Sequence, residues 1–87
     1  MTDTDTIARD IRAILREHGR LAVDVDALTD DNSLYDAGLT SHASVTLMLA
    51  LEEWFDVEFP DRMLRRGAFA SVTVIRDGIT ELLGARA

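Results

Sequence analysis

The chain has 87 residues, no cysteine and a formal net charge of −7. That length supports a single domain over 1–87 with one modest core and no separate substrate domain. The missing cysteine excludes disulfides and thiolate metal sites, and the acidic balance argues against nucleic acid, whose binders need a basic face. No apolar run approaches the ~20 residues needed to cross a bilayer. The opening MTDTDTIARD is polar and acidic, where a signal peptide has a basic start and an apolar middle. The expectation is a cytoplasmic monomer that meets no membrane.

Residues 5–18 carry Ile7, Ile11, Ile14 and Leu15, a spacing that puts them on one face of a helix. Thr4 or Asp5 is placed to cap its start and Gly19 to end it. Residues 20–40 scatter apolar side chains among many Asp, Asn, Ser and Thr and read as a loop with one short turn near DDNSLYD. A loop of about twenty residues is unusual in a compact domain and is often functional.

Residues 42–56 form the strongest helical segment, with Ser44, Leu47, Met48, Leu51, Trp54 and Phe55 on one side and His42, Thr46, Leu49 and Glu53 on the other. Pro60 ends this element, and PDRMLRR begins a short turn of helix with Asp61 as its cap and Gly67 as its break. Ser71 then caps a last helix that carries Val72, Ile75, Ile79 and Leu82. HASV at 42–45 and FASV at 69–72 echo each other near two helix starts, as capping chemistry rather than as a repeat. The fold class is all-α: a small irregular four-helix bundle of three longer helices and one short one, with a long first loop.

Negative charge gathers in the middle. Between Arg20 and Arg62 there are ten Asp or Glu residues and no Arg or Lys, whereas the rest of the chain has nine arginines against six acids. This acidic block is either a solvated surface or a docking surface steered toward basic partners.

The pair Ser41-His42 invites a hydrolase reading, but neighbours on a helix point ~100° apart and do not face each other. A nucleophile elbow needs Gly-x-Ser-x-Gly; here Gly38 is three residues before Ser41 and no glycine follows. DVDALTDDN resembles a calcium loop only in being acidic: Leu28, Thr29 and Tyr35 stand where an EF-hand wants an oxygen ligand, Gly and Glu. Nothing here supplies a catalytic group or a metal site. Ser41 does have position, at about the N-cap of the best helix. It is there either as an ordinary cap, worth ~1 kcal/mol, or as the bearer of a phosphate ester, which the helix dipole and free N–H groups favour. Ser44 falls on the apolar side, bonded to the preceding turn.

The stretch SLYDAGLTSHASVTLMLALEEWFDVEFPD, residues 33–61, resembles the signature of acyl carrier proteins. A glycine stands two residues before the motif's Thr-Ser-His, followed by an apolar helix, paired glutamates, an aromatic, an acid and a Phe-Pro. The resemblance covers nearly the whole chain. It implies an acyl-carrier-protein-like fold and makes Ser41 the residue onto which a phosphopantetheinyl transferase moves the 4′-phosphopantetheine of coenzyme A. The arm's thiol then holds an acyl or aminoacyl group as a thioester. Gly38 matches the family's glycine, and Val45, Met48 and Leu51 match its buried positions. His42, Thr46, Leu49 and Glu53 match its recognition face, beside which stand Leu39, Glu52 and Asp56.

Two positions depart from the pattern: Thr40 and His42 stand where the family usually has Asp and Leu. The stretches GLTSHASV…LMLALEE and EFPDRML…FASV are most similar to small stand-alone carriers loaded with amino acids by seryl-tRNA-synthetase-like ligases. The implied partners are the transferase, an acyl- or aminoacyl-loading ligase and a downstream acceptor enzyme. The chain itself is then no enzyme, since chemistry happens in its partners. The alternative is an unmodified acidic helical adaptor that binds a basic protein through Leu49 and its surroundings.

Overall fold

A computed structural model describes residues 4–86. It contains three α-helices, α1 (Thr4–His18), α2 (Ser41–Phe55) and α3 (Val72–Arg86), and single 3₁₀ turns at Val25–Ala27, Asp61–Met63 and Arg66–Phe69. The fold is all-α, as expected, but the expected fourth helix is a pair of 3₁₀ turns. Asp61 is the first residue of one turn rather than its cap, and Gly67 lies inside the other. The segment is short and pinned at both ends. Phe59 and Phe69 are buried and meet edge to face, with centroids 5.5 Å apart, so the chain between them closes in tight local turns.

In α1, Ile7, Ile11, Ile14 and Leu15 are buried as their spacing requires, each contributing about 1.5–3 kcal/mol of apolar burial. The helix already includes Thr4 and Asp5, so neither is the cap, and the capping position lies outside the described residues. The Gly19 N–H closes the other end on the Leu15 carbonyl at 2.8 Å. Val72, Ile75 and Ile79 of α3 are buried against the same core, with Leu82 half-buried.

The segment 20–40 has little regular structure but is firmly held. Val25, Leu34, Ala37 and Leu39 are buried, so its scattered apolar residues are core residues without a helical period. Arg12 clamps it from α1. Nη1 donates to the Val25 carbonyl at 2.9 Å, while Nη2 donates to the Leu28 carbonyl at 2.9 Å and to Asp30 Oδ1 at 2.6 Å. A guanidinium suits this because its donors form a rigid fork that can satisfy several acceptors at once. The loop also reaches α3 and the turn before it: Leu34 N–H donates to the Ala70 carbonyl, just before α3, at 2.8 Å, and Thr73 N–H in α3 donates to the Asp30 carbonyl at 3.0 Å. Its last turn depends on Gly38. There φ is +112°, and an added Cβ would come within 2.8 Å of the Ala22 nitrogen, so only glycine takes this conformation without strain.

Candidate functional site

The turn at Gly38 delivers the chain into α2, and Thr40, not Ser41, is the N-cap. Thr40 has extended backbone angles, and its Oγ1 accepts the Ala43 N–H at 3.0 Å. The one-residue correction changes what Ser41 can do. As the first helical residue it is exposed, and among the described residues no hydrogen bond engages its hydroxyl. A threonine caps as a shorter relative of the Asp usual at this position would, by offering a side-chain oxygen to the first turn. The other helix start behaves differently. Ser71 is 6% exposed and its Oγ accepts the Val74 N–H at 3.2 Å, so it is the cap.

Ala43, Leu47 and Leu51 face the core. His42, Thr46, Leu49 and Glu53, which the resemblance matched to a recognition face, are all exposed on the side that periodicity gave them, and Leu49 retains 56% of its surface. Asp56 is exposed at the C-cap, in the left-handed conformation, with its N–H bonded to the Glu52 carbonyl. Two expected members do not join this face. Leu39 is buried, because the turn that admits Gly38 directs it into the core. Glu52 is half-buried, and its Oε2 accepts the Phe59 N–H at 2.9 Å; it fastens the chain after α2.

Two apolar residues of α2 are also displaced from expectation. Val45, matched to a buried position, is exposed, since it points away from the Ala43–Leu47–Leu51 side. Trp54 lies on the side toward α1 but past the core, exposed, with Nε1 donating to Asp10 Oδ2 at 3.3 Å. Ser44 is half-buried, and its Oγ donates to the Ser41 carbonyl at 2.7 Å, as expected of a serine bonding back along its helix.

Val45 belongs to a second stripe. Ser41, Ser44, Val45 and Met48 stand at i, i+3, i+4 and i+7, the spacing of one helix face, and together line a groove of about 400 Å³. Its other wall is Tyr35, Leu64, Arg65 and Phe69. Sequence reasoning missed this groove, although the stripe beginning at Ser41 was its available signal. Among the described residues no group of three or more His, Asp or Glu is placed to hold a metal ion, and no helix is long and apolar enough to cross a membrane.

Comparison with known proteins bears on the same region. The family model for the phosphopantetheine attachment site matches residues 9–76. An aminoacyl carrier protein from Agrobacterium fabrum is 51% identical over 73 residues, 84% of this chain and 88% of that protein. In a crystal structure of an engineered Bradyrhizobium japonicum glycine:[carrier protein] ligase complexed with carrier protein from Agrobacterium tumefaciens and AMP, the matching chain superposes with a TM-score of 0.82. It is 49% identical, and the match covers 84% of this chain and 97% of that one. A structure of the Bradyrhizobium japonicum ligase complexed with glycylated carrier protein matches at a TM-score of 0.73 and 31% identity, over 85% of this chain and 99% of that one.

Proposed function

Because this chain belongs to the phosphopantetheine-attachment family of carrier proteins, we propose that Ser41 is its attachment residue and that its cargo is an amino acid. The chain is a carrier and not an enzyme, and the unmodified-adaptor alternative falls with that membership. When bound, the 4′-phosphopantetheine arm supplies a terminal thiol that holds the cargo as a thioester. Everything else is the task of the chain's own side chains.

The observation that carries the assignment is the exposed hydroxyl of Ser41 at the first position of α2, released from capping because Thr40 takes that role. In the transfer step the Ser41 oxygen bonds to the pantetheine-bearing phosphorus of coenzyme A. The phosphoanhydride bond breaks, adenosine 3′,5′-bisphosphate leaves, and the hydroxyl proton goes to the transferase. The resulting phosphodiester anion sits at a helix N-terminus, where free N–H groups and the dipole favour negative charge. The residues present therefore fit the group: an accessible hydroxyl, a positive helix end and an adjoining apolar groove.

His42, Thr46, Leu49 and Glu53 form the surface that partners read, with Asp56 at its end. Leu49 supplies apolar contact, and the acids supply steering toward basic partners and easy release, as a shuttle needs. The partners are a phosphopantetheinyl transferase, an amino-acid-loading ligase and a downstream acceptor, and the place of action is the cytoplasm. The similarity to carrier chains crystallised with glycine:[carrier protein] ligases makes glycine the first cargo to offer. The test is intact mass after incubation with transferase and coenzyme A. The wild type gains one arm and Ser41→Ala gains none; an arm retained on Ser41→Ala would sink the assignment.

A further inference from the structure

We propose that the notch between α1 and α2, beside Trp54, is a docking point for an arginine side chain of a partner protein. The inference rests on the docking reading of α2 given above and deepens it by adding α1 to the contact and naming the side chain that is read. Ile14, Glu17 and His18 of α1 and Ala50, Glu53 and Trp54 of α2 line a notch of about 340 Å³. The helix registers bring these groups together. Asp10, Ile14 and Glu17 stand at i, i+4 and i+7 on α1, and Ala50, Glu53 and Trp54 at i, i+3 and i+4 on α2, so each set occupies one side of its helix. A hydrogen bond joins the two sides: Trp54 Nε1 donates to Asp10 Oδ2 at 3.3 Å. That bond occupies the one polar group of the indole, and the residue is still 60% exposed, which leaves aromatic surface uncovered beside two carboxylates.

The described residues lining the notch include Glu17 and Glu53 but no arginine, and both glutamates are exposed. Among the described residues no hydrogen bond or ion pair engages the Glu53 carboxylate, and the ion-pair contact of Glu17 is His18 Nε2, at 3.8 Å. An arginine side chain satisfies each part of this lining. Its methylenes cover Ile14 and Ala50, since long basic side chains lay their stems on apolar surface. Its guanidinium is planar, always charged and weakly hydrated, so it stacks on an indole face while its fork of donors reaches carboxylates at the edge. An exposed carboxylate alone contributes little; the aromatic surface makes the notch selective for a planar cation. Glu53 belongs to both the notch and the proposed recognition face, so a partner seated on Leu49 can place an arginine here without leaving α2.

The test titrates the isotope-labelled, unmodified full chain with the peptide acetyl-Gly-Arg-Gly-amide, and with the same peptide carrying citrulline, the uncharged isostere of arginine. Wild type, Glu17→Gln and Trp54→Leu are compared; both positions are exposed, so the variants keep the fold. Backbone amide shifts are followed over residues 14–18 and 50–54 and at His42, Thr46 and Leu49. In the wild type the arginine peptide is expected to give saturable shifts in both segments and the citrulline peptide none. The apparent Kd is expected to rise about two- to fivefold in each variant. Saturable shifts confined to His42, Thr46 and Leu49 would leave the docking reading of α2 standing and overturn the notch. Equal shifts from the citrulline peptide, or a Kd unchanged in both variants, overturn it too. No saturable shift at any of these residues defeats both readings.

Discussion

The starts of α2 and α3 are built from similar words, Thr-Ser-His-Ala and Ala-Ser-Val-Thr, and they do opposite things. At α3, Ser71 is buried and spends its oxygen on the Val74 N–H. At α2, the preceding threonine takes the cap and Ser41 stands one position further in, exposed. A shift of one residue separates a serine that holds a helix from a serine available for modification. What distinguishes them in sequence is the residue in front: Thr40 can cap and Ala70 cannot.

The sharpest way to break this comparison is to exchange alanine for each serine. Ser41→Ala is expected to abolish arm attachment by intact mass while leaving the denaturant midpoint unchanged. Ser71→Ala is expected to keep full attachment. Next in size are the supports behind each start. Gly38→Ala forces a side chain into positive φ against Ala22 and is expected to cost about 1–3 kcal/mol in urea unfolding. Arg12→Ala removes the side-chain donor from the Val25 and Leu28 carbonyls and the partner of Asp30, although Val25 keeps the Leu28 N–H, and is expected to cost about 1–3 kcal/mol. Because the Asp30 carbonyl holds Thr73 N–H, amide-exchange protection in that variant falls most at the α3 start and least at Ala43.

The caps come third. Thr40→Ala and Ser71→Ala are each expected to cost about 1 kcal/mol, whereas Thr40→Asp stays within about 0.5 kcal/mol of wild type because it still caps. Equal stability of Thr40→Ala and wild type would return the cap to Ser41 and erase the contrast. The smallest effect is electrostatic. The KM of the transferase for this chain is expected to rise between ~0.01 M and ~0.15 M salt, and Glu53→Gln to flatten that rise by a factor of up to about five. A KM indifferent to salt would remove the acidic face from docking.

The three helices were legible because their apolar residues keep a helical period and their ends carry Gly19, Pro60 and Ser71. Ser41 was legible as a serine at a helix start and through the carrier-protein resemblance. The parts that were not legible depend on contacts between distant segments. Leu34 and Leu39 are core residues with no period to announce them. Arg12 looks like any solvent-facing arginine until the loop folds over it. Leu64 and Arg65 become a groove wall only when Phe59 and Phe69 meet. Val45 shows the converse: a resemblance assigned it to the interior, and the geometry of α2 puts it outside.

Trp54 has a practical consequence. It is the sole tryptophan of the chain, it stands 60% exposed at the far end of α2 with its indole nitrogen on Asp10, and it comes directly after Glu53 of the proposed recognition face. The carrier therefore has a built-in optical reporter. Emission from that single indole, read without any label, tracks the arrival of a partner on α2. The groove beside Ser41 does not include it, so a change in this emission reports docking on α2 apart from loading of the arm.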